Sequence, residues 1–172
     1  YNHAHIGNFR AYMFEDLLSR YLSFRGYAVK HIMNLTDVED KLIRTCRESG
    51  ESLQAVTARY ANAFFEDLDT LGIRRAEAYP AATDHIDEMV AMIKSLRDKG
   101  HTYEIEGSIY FRLSSYEDYG KLSHMDMDEL RDGASGRVDN DEYEAGDARD
   151  FVLWKAYVEE DGDVFWETDL GK

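Results

Sequence analysis

The sequence predicts an α/β domain that is rich in helices and built on a parallel sheet. Its hydrophobic pattern indicates a strand, a helix, a strand and then more helices, an order typical of a parallel α/β unit. The chain has 172 residues, 44% of them hydrophobic, which is enough for one sizeable core and a smaller appended part. We place the main part at residues 1–100 and the appended part at residues 101–172.

The first predicted helix is amphipathic; it begins at Phe9 and ends at Gly26. Residues 29–35 then read as a buried strand. Thr36 and Glu39 have the spacing of a capping box, which predicts a second helix with Thr36 as its N-cap. The apolar stripe that we expect to bury the first helix consists of Phe14, Leu17, Leu18, Tyr21 and Leu22.

Two more helices follow before residue 100. The second helix ends near Gly50, and the third begins after Ser52 and ends at Gly72. The fourth follows Pro80, the only proline of the chain, and ends at Gly100.

The pattern changes beyond residue 100. Two short strands flank Gly107 and predict a hairpin. Residues 125–130 fit a short helix, residues 137–147 show no period, and residues 151–158 and 164–166 fit short strands. We therefore expect residues 101–172 to form a small mixed α+β insertion packed on the first part.

Two polar blocks lie where a parallel α/β unit gathers its ligands, at the carboxyl ends of strands. The first, His5-Ile6-Gly7-Asn8, directly precedes the first helix, and the second, Thr36-Asp37, follows the predicted strand. We expect the two blocks to share one cleft.

The first block has the chemistry of a nucleotide site of the HxGH type. Imidazole and amide groups donate hydrogen bonds, and the start of a helix favours phosphate oxygens. His5 and Asn8 are therefore the predicted donors, and Gly7, which has no Cβ, is the predicted point of close approach to an adenosine. His3 reads as a solvent-facing residue.

Together the blocks make the chain resemble the cysteinyl-tRNA synthetase family. That family opens with Y-[DN]-x-x-H-I-G-[HN], continues with a helix ending in R-G-Y, and then has N-[IL]-T-D-[IV]-[DE]-D-K. This chain matches these motifs with Tyr1 to Asn8, Arg25-Gly26-Tyr27 and Asn34 to Lys41. Later matches in the same order are Pro80 to Ile86, Lys99 to Tyr103, Tyr119 to Ser123 and Asp150 to Lys155.

The resemblance implies a fold and a reaction. The fold is the Rossmann-like catalytic domain of class I synthetases, here incomplete, with residues 101–172 as its connective insertion. The reaction is activation of L-cysteine with ATP and Mg²⁺, followed by transfer to tRNA(Cys). His5 and Asn8 correspond to catalytic positions, His5, Gly7 and Asn8 to the ATP site, and Thr36 and His85 to the cysteine site.

Several family features are absent from the 172 residues. These are a Cys-Gly-Pro-Thr-Val stretch, a G-W-H-I-E-C segment, the KMSKS loop and the anticodon-binding part. In the family, a zinc ion selects cysteine through its sulfur. Because the expected zinc ligands lie outside this chain, we predict no complete metal site here and expect the segment alone to be inactive.

Charge and cysteine content narrow the interpretation. The net charge is −15, and residues 126–172 hold 16 acidic and 5 basic residues against 19 and 15 in residues 1–125. An acidic surface repels a nucleic-acid backbone, so most tRNA contacts are expected from segments outside this chain. The single cysteine, Cys46, falls on an apolar helix spacing and is interpreted as a core residue. No apolar run is long enough for a bilayer, and we expect a cytoplasmic protein without a membrane partner.

Two alternatives stay open. One is the related ligase of thiol-cofactor (mycothiol) biosynthesis, which joins cysteine to a sugar-containing precursor through the same adenylate step. The other is a non-catalytic fragment or regulatory relative.

Overall fold

The computed structural model describes residues 2–124 and 150–172. The predicted helix at 125–130 and the segment 137–147 lie outside these ranges. The described residues fall into two compact units, one within Tyr1–Ile86 and Asp161–Val164, the other within Asp87–Glu160 and Phe165–Lys172. Nowhere in the described ranges is there a helix with the length and hydropathy needed to span a membrane.

The first unit contains three α-helices and one 3₁₀-helix. The α-helices are α1 (Ile6–Phe24), α2 (Asp40–Ser49) and α3 (Leu53–Thr70), and the 3₁₀-helix covers Ala82–His85. Helix α1 begins before the predicted Phe9 because His5 caps it. It ends as predicted, before a glycine with a positive φ of 89°, Gly26.

The predicted core stripe of α1 is wrong. Phe14 is 67% exposed and Leu17 65% exposed, whereas Phe9 is buried. Phe9 packs with Leu68 and Ile73, so the side of α1 that carries Phe9 forms the core of this unit. Both sides of the helix are apolar, and periodicity alone does not distinguish which one meets α3.

A buried acid on the same side of α1 reinforces that orientation. The Asp16 carboxylate accepts hydrogen bonds from the Arg20 side chain at 2.7 Å and from the Arg74 amide at 3.3 Å. The Arg20 guanidinium also donates to the Gly72 carbonyl at 2.8 Å. These bonds tie α1 to the turn that follows α3.

The predicted strand at 29–35 is an extended segment with two parallel bridges, Ile32 to Ala78 and Leu35 to Ala81. The Leu35 amide donates to the Pro80 carbonyl at 2.9 Å. The pairing is parallel, as expected for this fold class. The prediction that the segment is buried is wrong, since Ile32 is 51% exposed.

The predicted N-cap of α2 is also wrong. The helix begins at Asp40, and its N-cap, Glu39, has extended backbone angles and makes no capping bond. Thr36 lies outside the helix, and its hydroxyl accepts a hydrogen bond from the side-chain NH₂ group of Asn34 at 3.3 Å. The backbone stays extended past Thr36 because Asp37 is bonded to a distant part of the chain, as described below.

Helices α2 and α3 pack through a second small core. Leu42, Cys46 and Val56 are buried together, which confirms the interpretation of Cys46 as a core residue. The predicted start of α3 is confirmed, because the Ser52 hydroxyl accepts from the Ala55 amide at 3.2 Å.

The second unit combines α4 (Ile86–Asp98), whose first residue belongs to the other unit, with a three-stranded antiparallel sheet. The strands are β1 (Thr102–Ile105), β2 (Ser108–Phe111) and β3 (Phe151–Trp154), in the order β1-β2-β3. The predicted hairpin is confirmed. Its two turn residues, Glu106 and Gly107, both have positive φ, at 49° and 82°, which suits a two-residue hairpin turn.

The predicted strand at 164–166 is wrong, because those residues form no strand. The Lys172 ammonium instead lies 3.9 Å from the ring centre of Tyr157 and 3.6 Å from that of Phe165. Cation–π contacts therefore hold this part of the second unit.

Candidate functional site

A cavity of about 450 Å³ in the first unit brings the two polar blocks together. His5 and Asn8 of the first block and Thr36 and Asp37 of the second lie on its wall. The expected shared cleft is therefore present. The remaining lining residues are Asn2, His3, Ala4, Tyr12, Leu35, Leu42, Thr57, Tyr60, Ala61 and Phe64.

Reciprocal capping bonds determine which atoms His5 and Asn8 can offer to a ligand. The Gly7 amide donates to Nδ1 of His5 at 3.0 Å, and the His5 amide donates to Oδ1 of Asn8 at 3.1 Å. With Nδ1 as acceptor, a neutral imidazole carries its proton on Nε2. With Oδ1 already accepting, the Asn8 side chain offers its NH₂ group.

Both side chains thus bond the backbone through their acceptor atoms, and their N–H groups stay available as donors. They stand at the start of α1, a helix of 19 residues, where the positive end of the helix dipole favours negative charge. The arrangement suits phosphate oxygens, on which charge builds during transfer of a nucleotidyl group.

Gly7 lies between these two residues in the chain but is not among the described residues that line the cavity. A Cβ on Gly7 would lie 2.7 Å from Cε1 and 2.9 Å from Nδ1 of His5. The immediate neighbour of the missing side chain is therefore the His5 ring.

Asp37 connects the second block to two other elements. Its carboxylate accepts from the Thr83 amide at 3.0 Å and from the Thr83 hydroxyl at 2.5 Å. Its carbonyl lies 3.4 Å from the Thr57 hydroxyl, whose shorter bond, at 2.7 Å, is to the Leu53 carbonyl. Asp37 is buried at 9% exposure, so the carboxylate serves mainly to hold the turn.

Thr36 precedes Asp37 and is exposed on the cavity wall. It also lines a second cavity of about 580 Å³ in the same unit, together with Glu15, His31 and Asn34. The two cavities share Tyr12, Leu35, Thr36 and Phe64 on their walls. Thr36 is therefore placed to contact a ligand in either space.

His85 has a different position. It is the exposed last residue of the 3₁₀-helix Ala82–His85. Among the described residues, it is not one of those that line either cavity. It follows Thr83, the partner of Asp37, by two residues. Its predicted contact with cysteine stays a prediction.

Sequence reasoning missed Thr57, Tyr60 and Thr83 as parts of the site. Tyr60 belongs to the apolar pattern of α3, where a core role is the simplest interpretation, and Thr57 lies between the apolar positions of that helix. Thr83 stood in a recognised block, but nothing local links it to Asp37. The one signal in the sequence is Asp37 itself, an acid directly after a predicted buried strand, which needs a hydrogen-bond donor from elsewhere in the chain.

Glu39, two residues after Asp37, has a carboxyl group whose charged form is disfavoured by burial. Its Oε1 atom is buried and has no hydrogen-bond partner within the described part of the chain. Burial raises the pKa of the Glu39 carboxyl above its ordinary value of 4.5. Burial likewise raises the pKa of the Cys46 thiol.

A metal site would need several ligating side chains close together. In residues 2–124 and 150–172, no group of three or more His, Cys, Asp or Glu side chains is arranged to hold an ion. The described residues therefore do not fit a zinc site.

Comparison with known proteins adds independent information. The family model described as "tRNA synthetases class I (C) catalytic domain" matches residues 1–172. The chain is similar to proteins named cysteine–tRNA ligase from Brachyspira hyodysenteriae, at 58% identity over 172 residues, and from Chlamydia muridarum, at 51% over 174. A third, from Geobacillus thermodenitrificans, is 45% identical over 172 residues. Each match covers 100% of this chain and 36% of the relative, so the chain spans about a third of their length.

Proposed function

This chain belongs to the family of class I (C) tRNA synthetase catalytic domains, and from that membership we propose that it forms the nucleotide-binding part of a cysteine–tRNA ligase. In the proposed reaction, a carboxylate oxygen of L-cysteine attacks the α-phosphorus of ATP. The bond to pyrophosphate breaks, and cysteinyl-adenylate forms. The cysteinyl group then passes to a hydroxyl of the terminal adenosine of tRNA(Cys), and AMP leaves.

One observation supports the proposal: the HxGH-type block and the Thr36-Asp37 turn both line the same cavity. His5, through Nε2–H, and Asn8, through its NH₂ group, would donate to phosphate oxygens of ATP. Preorganised donors of this kind stabilise the charge that develops in the transition state. Gly7 remains a proposed part of the ATP site.

Thr36 and His85 are the proposed contacts for cysteine. Thr36 has the better support, since it is exposed and lines the same cavity as His5 and Asn8. We also propose that residues 1–100 bind the nucleotide and that residues 101–172 form the connective insertion.

Metal ions enter the proposal only as partners of other groups. Mg²⁺ would accompany ATP and neutralise its phosphates. Because the described residues offer no ligand set for zinc and Cys46 is a buried core thiol, we assign no step to zinc in this chain. Zinc ligands would have to come from residues elsewhere in the polypeptide.

The direct test is cysteine-dependent exchange of pyrophosphate into ATP, measured with the whole polypeptide that carries these residues. We expect exchange with cysteine and none with serine. A second assay follows transfer of cysteine to tRNA(Cys), which distinguishes the tRNA ligase from a ligase that uses a thiol precursor. Absence of exchange by the well-folded polypeptide would end the proposal.

Both alternatives predict different results. A thiol-cofactor ligase would show exchange but no charging of tRNA, and a regulatory relative would show neither. The names of the relatives favour the tRNA ligase. A tRNA ligase acts where tRNA is used, and we propose a cytoplasmic location on that ground.

A further inference from the structure

Residues 36–39 have the local sequence of a helix start but an extended backbone. We propose that this segment has two alternative conformations, extended and helical, and that the hydrogen bonds from Thr83 to Asp37 select the extended one. The inference rests on the proposed function only where it concerns cysteine. The two conformations themselves can be tested without it.

The helical form is encoded by Thr36 and Glu39, which have the spacing of a capping box. In that form the Thr36 hydroxyl would accept from the Glu39 amide, and the Glu39 carboxylate would accept from the Thr36 amide. Helix α2 would then begin at residue 37, three residues earlier than the observed start at Asp40. Acidic residues in its first turn would also suit the helix dipole.

The extended form is held by a distant segment of the chain. The Leu35 amide donates to the Pro80 carbonyl at 2.9 Å, and the Ala82 amide donates to the Leu35 carbonyl at 3.1 Å. Two residues after Leu35, the Asp37 carboxylate accepts from the Thr83 amide at 3.0 Å and from its hydroxyl at 2.5 Å. Alternate residues of an extended chain lie on the same side, whereas a helical turn would carry the carboxylate away from Thr83. The bonds to Thr83 therefore oppose the helical form.

The extended form has a cost at Glu39. This residue is the N-cap of α2 but makes no capping bond. Its Oε1 atom is buried and has no hydrogen-bond partner in the described ranges. A buried polar atom without a partner is unfavourable, and the capping box would supply one in the Thr36 amide. Local sequence and distant contacts thus favour different conformations of the same four residues.

The choice between the two forms affects Thr36. In the extended form Thr36 is exposed and lines the cavity, and its hydroxyl bonds only weakly, at 3.3 Å, to the Asn34 side chain. In the helical form the hydroxyl would be engaged by the Glu39 amide. A ligand that needs one conformation binds more weakly when only a fraction of the molecules adopts it. Thr83 is therefore a positioning residue for the proposed cysteine contact.

A double-mutant cycle on the whole polypeptide tests the two conformations through the midpoint of thermal unfolding. In the wild-type background, Thr36→Ala should change the midpoint little, because Thr36 does not cap a helix there. In the Thr83→Val background, where the helical form is released, Thr36→Ala should lower the midpoint. Equal effects of Thr36→Ala in both backgrounds would overturn the proposal.

Ser52→Ala is the matched control for loss of an N-cap. The Ser52 hydroxyl caps α3 by accepting from the Ala55 amide at 3.2 Å, so its removal should lower the midpoint in both backgrounds alike. If Thr83→Val does not fold, Asp37→Asn takes its place, since it weakens the same hydrogen bonds and keeps an acceptor.

Glu39→Ala gives a second cycle with a distinct expectation. In the wild-type background it removes a buried carboxylate without a partner, so the midpoint should not fall. In the Thr83→Val background it removes half of the capping box, and the midpoint should fall. A fall of the same size in both backgrounds would contradict the helical alternative.

The effect on cysteine is measured as the KM for cysteine in pyrophosphate exchange. Thr83→Val should raise this KM on the order of threefold to tenfold, with kcat retained at saturating cysteine, because the ligand draws the segment back to the extended form. Adding Glu39→Ala should return the KM towards the wild-type value, which loss of a merely structural contact would not explain. An unchanged KM in Thr83→Val would overturn the positioning role.

The readouts separate failure of this inference from failure of the proposed function. If the wild-type polypeptide shows no exchange, the proposed function fails, and the unfolding cycles still decide whether residues 36–39 have two forms. If exchange is present and neither cycle shows coupling to Thr83, the two forms are refuted while the function stands.

Discussion

Asp37 and Thr83 are joined by two hydrogen bonds between positions 46 residues apart, one from the Thr83 amide and one from its hydroxyl. Thr83 lies in the 3₁₀-helix that follows the segment paired with residues 32 and 35. The Asp37 carboxylate therefore closes the end of the parallel pairing and holds Thr36 on the cavity wall.

Removal of this carboxylate should destabilise the protein. We expect Asp37→Ala to lower the free energy of unfolding by about 2–4 kcal/mol, because two buried hydrogen bonds to a charged group are lost. Asp37→Asn should cost less, since its amide oxygen can still accept from the Thr83 amide. Chemical denaturation measures both.

The control for this change is Thr70→Val. Thr70 is exposed, and its hydroxyl donates to the Glu66 carbonyl of its own helix. We expect a loss of roughly 0.5 kcal/mol or less there. An Asp37→Ala variant as stable as Thr70→Val would contradict the assigned role of Asp37.

Asn8→Asp should separate helix capping from phosphate binding. An aspartate oxygen can still accept from the His5 amide, and a negative charge near a helix start is favourable by about 0.3–1 kcal/mol. The NH₂ donor is replaced by a charge that repels phosphate. We therefore expect unchanged or higher stability together with a loss of exchange activity of roughly 10²–10³-fold.

Asn8→Ala is the companion variant, since it removes both the cap acceptor and the donor. It should lower stability and activity together. Exchange activity close to wild type in Asn8→Asp would show that the amide is not a phosphate donor.

Glu39 should make stability depend on pH in a defined direction. The folded protein raises the pKa of this carboxyl, because burial disfavours its charged form. The contribution of neutral Glu39 to the free energy of unfolding is therefore complete at low pH and is lost as the pH rises through the raised pKa. Glu39→Gln removes the titration. We expect the stability of the glutamine variant, relative to wild type, to increase as the pH rises from the ordinary pKa of 4.5 through the raised pKa of Glu39.

Urea unfolding at a series of pH values checks this. The exchange Glu48→Gln, at an exposed position of α2, serves as the control. A difference between Glu39→Gln and wild type that does not vary with pH would show that Glu39 is well solvated.

Cys46 should behave as a core residue without reactivity. Cys46→Ser places a hydroxyl among Leu42 and Val56, and we expect it to cost about 1–3 kcal/mol. The native thiol should react with an exposed-thiol reagent only as fast as the protein unfolds, because burial raises its pKa and blocks access. Rapid labelling of the native protein would contradict the buried position.

The helices were predictable from sequence because their signals are local. Ser52, Gly50 and the period of α3 define boundaries within one or two turns of the chain. The burial of α1 was not predictable, since Phe9 and Phe14 lie on two apolar sides and only the packing of Leu68 selects one. The prediction of Thr36 as N-cap was wrong for a related reason. The local pattern T-x-x-E contains no information on the hydrogen bonds that Thr83 donates to Asp37.

Part of the candidate site was predictable because some of its residues stand in short local motifs. His5, Asn8 and Thr36 stand in short blocks whose chemistry is visible in sequence, and the cavity joins them. Thr83 and Thr57 reach the site only through contacts between distant segments. Periodicity contains no information on those contacts.

The reciprocal cap between His5 and Asn8 sets a conflict for anyone who engineers this protein. Aspartate or serine at position 5 is a stronger N-cap than histidine, and a design protocol that scores stability would select either one. Each would delete the imidazole donor while the melting temperature improved. A thermostability screen on this scaffold therefore needs an activity filter at position 5, because the substitution that most favours the helix start there removes the proposed phosphate donor.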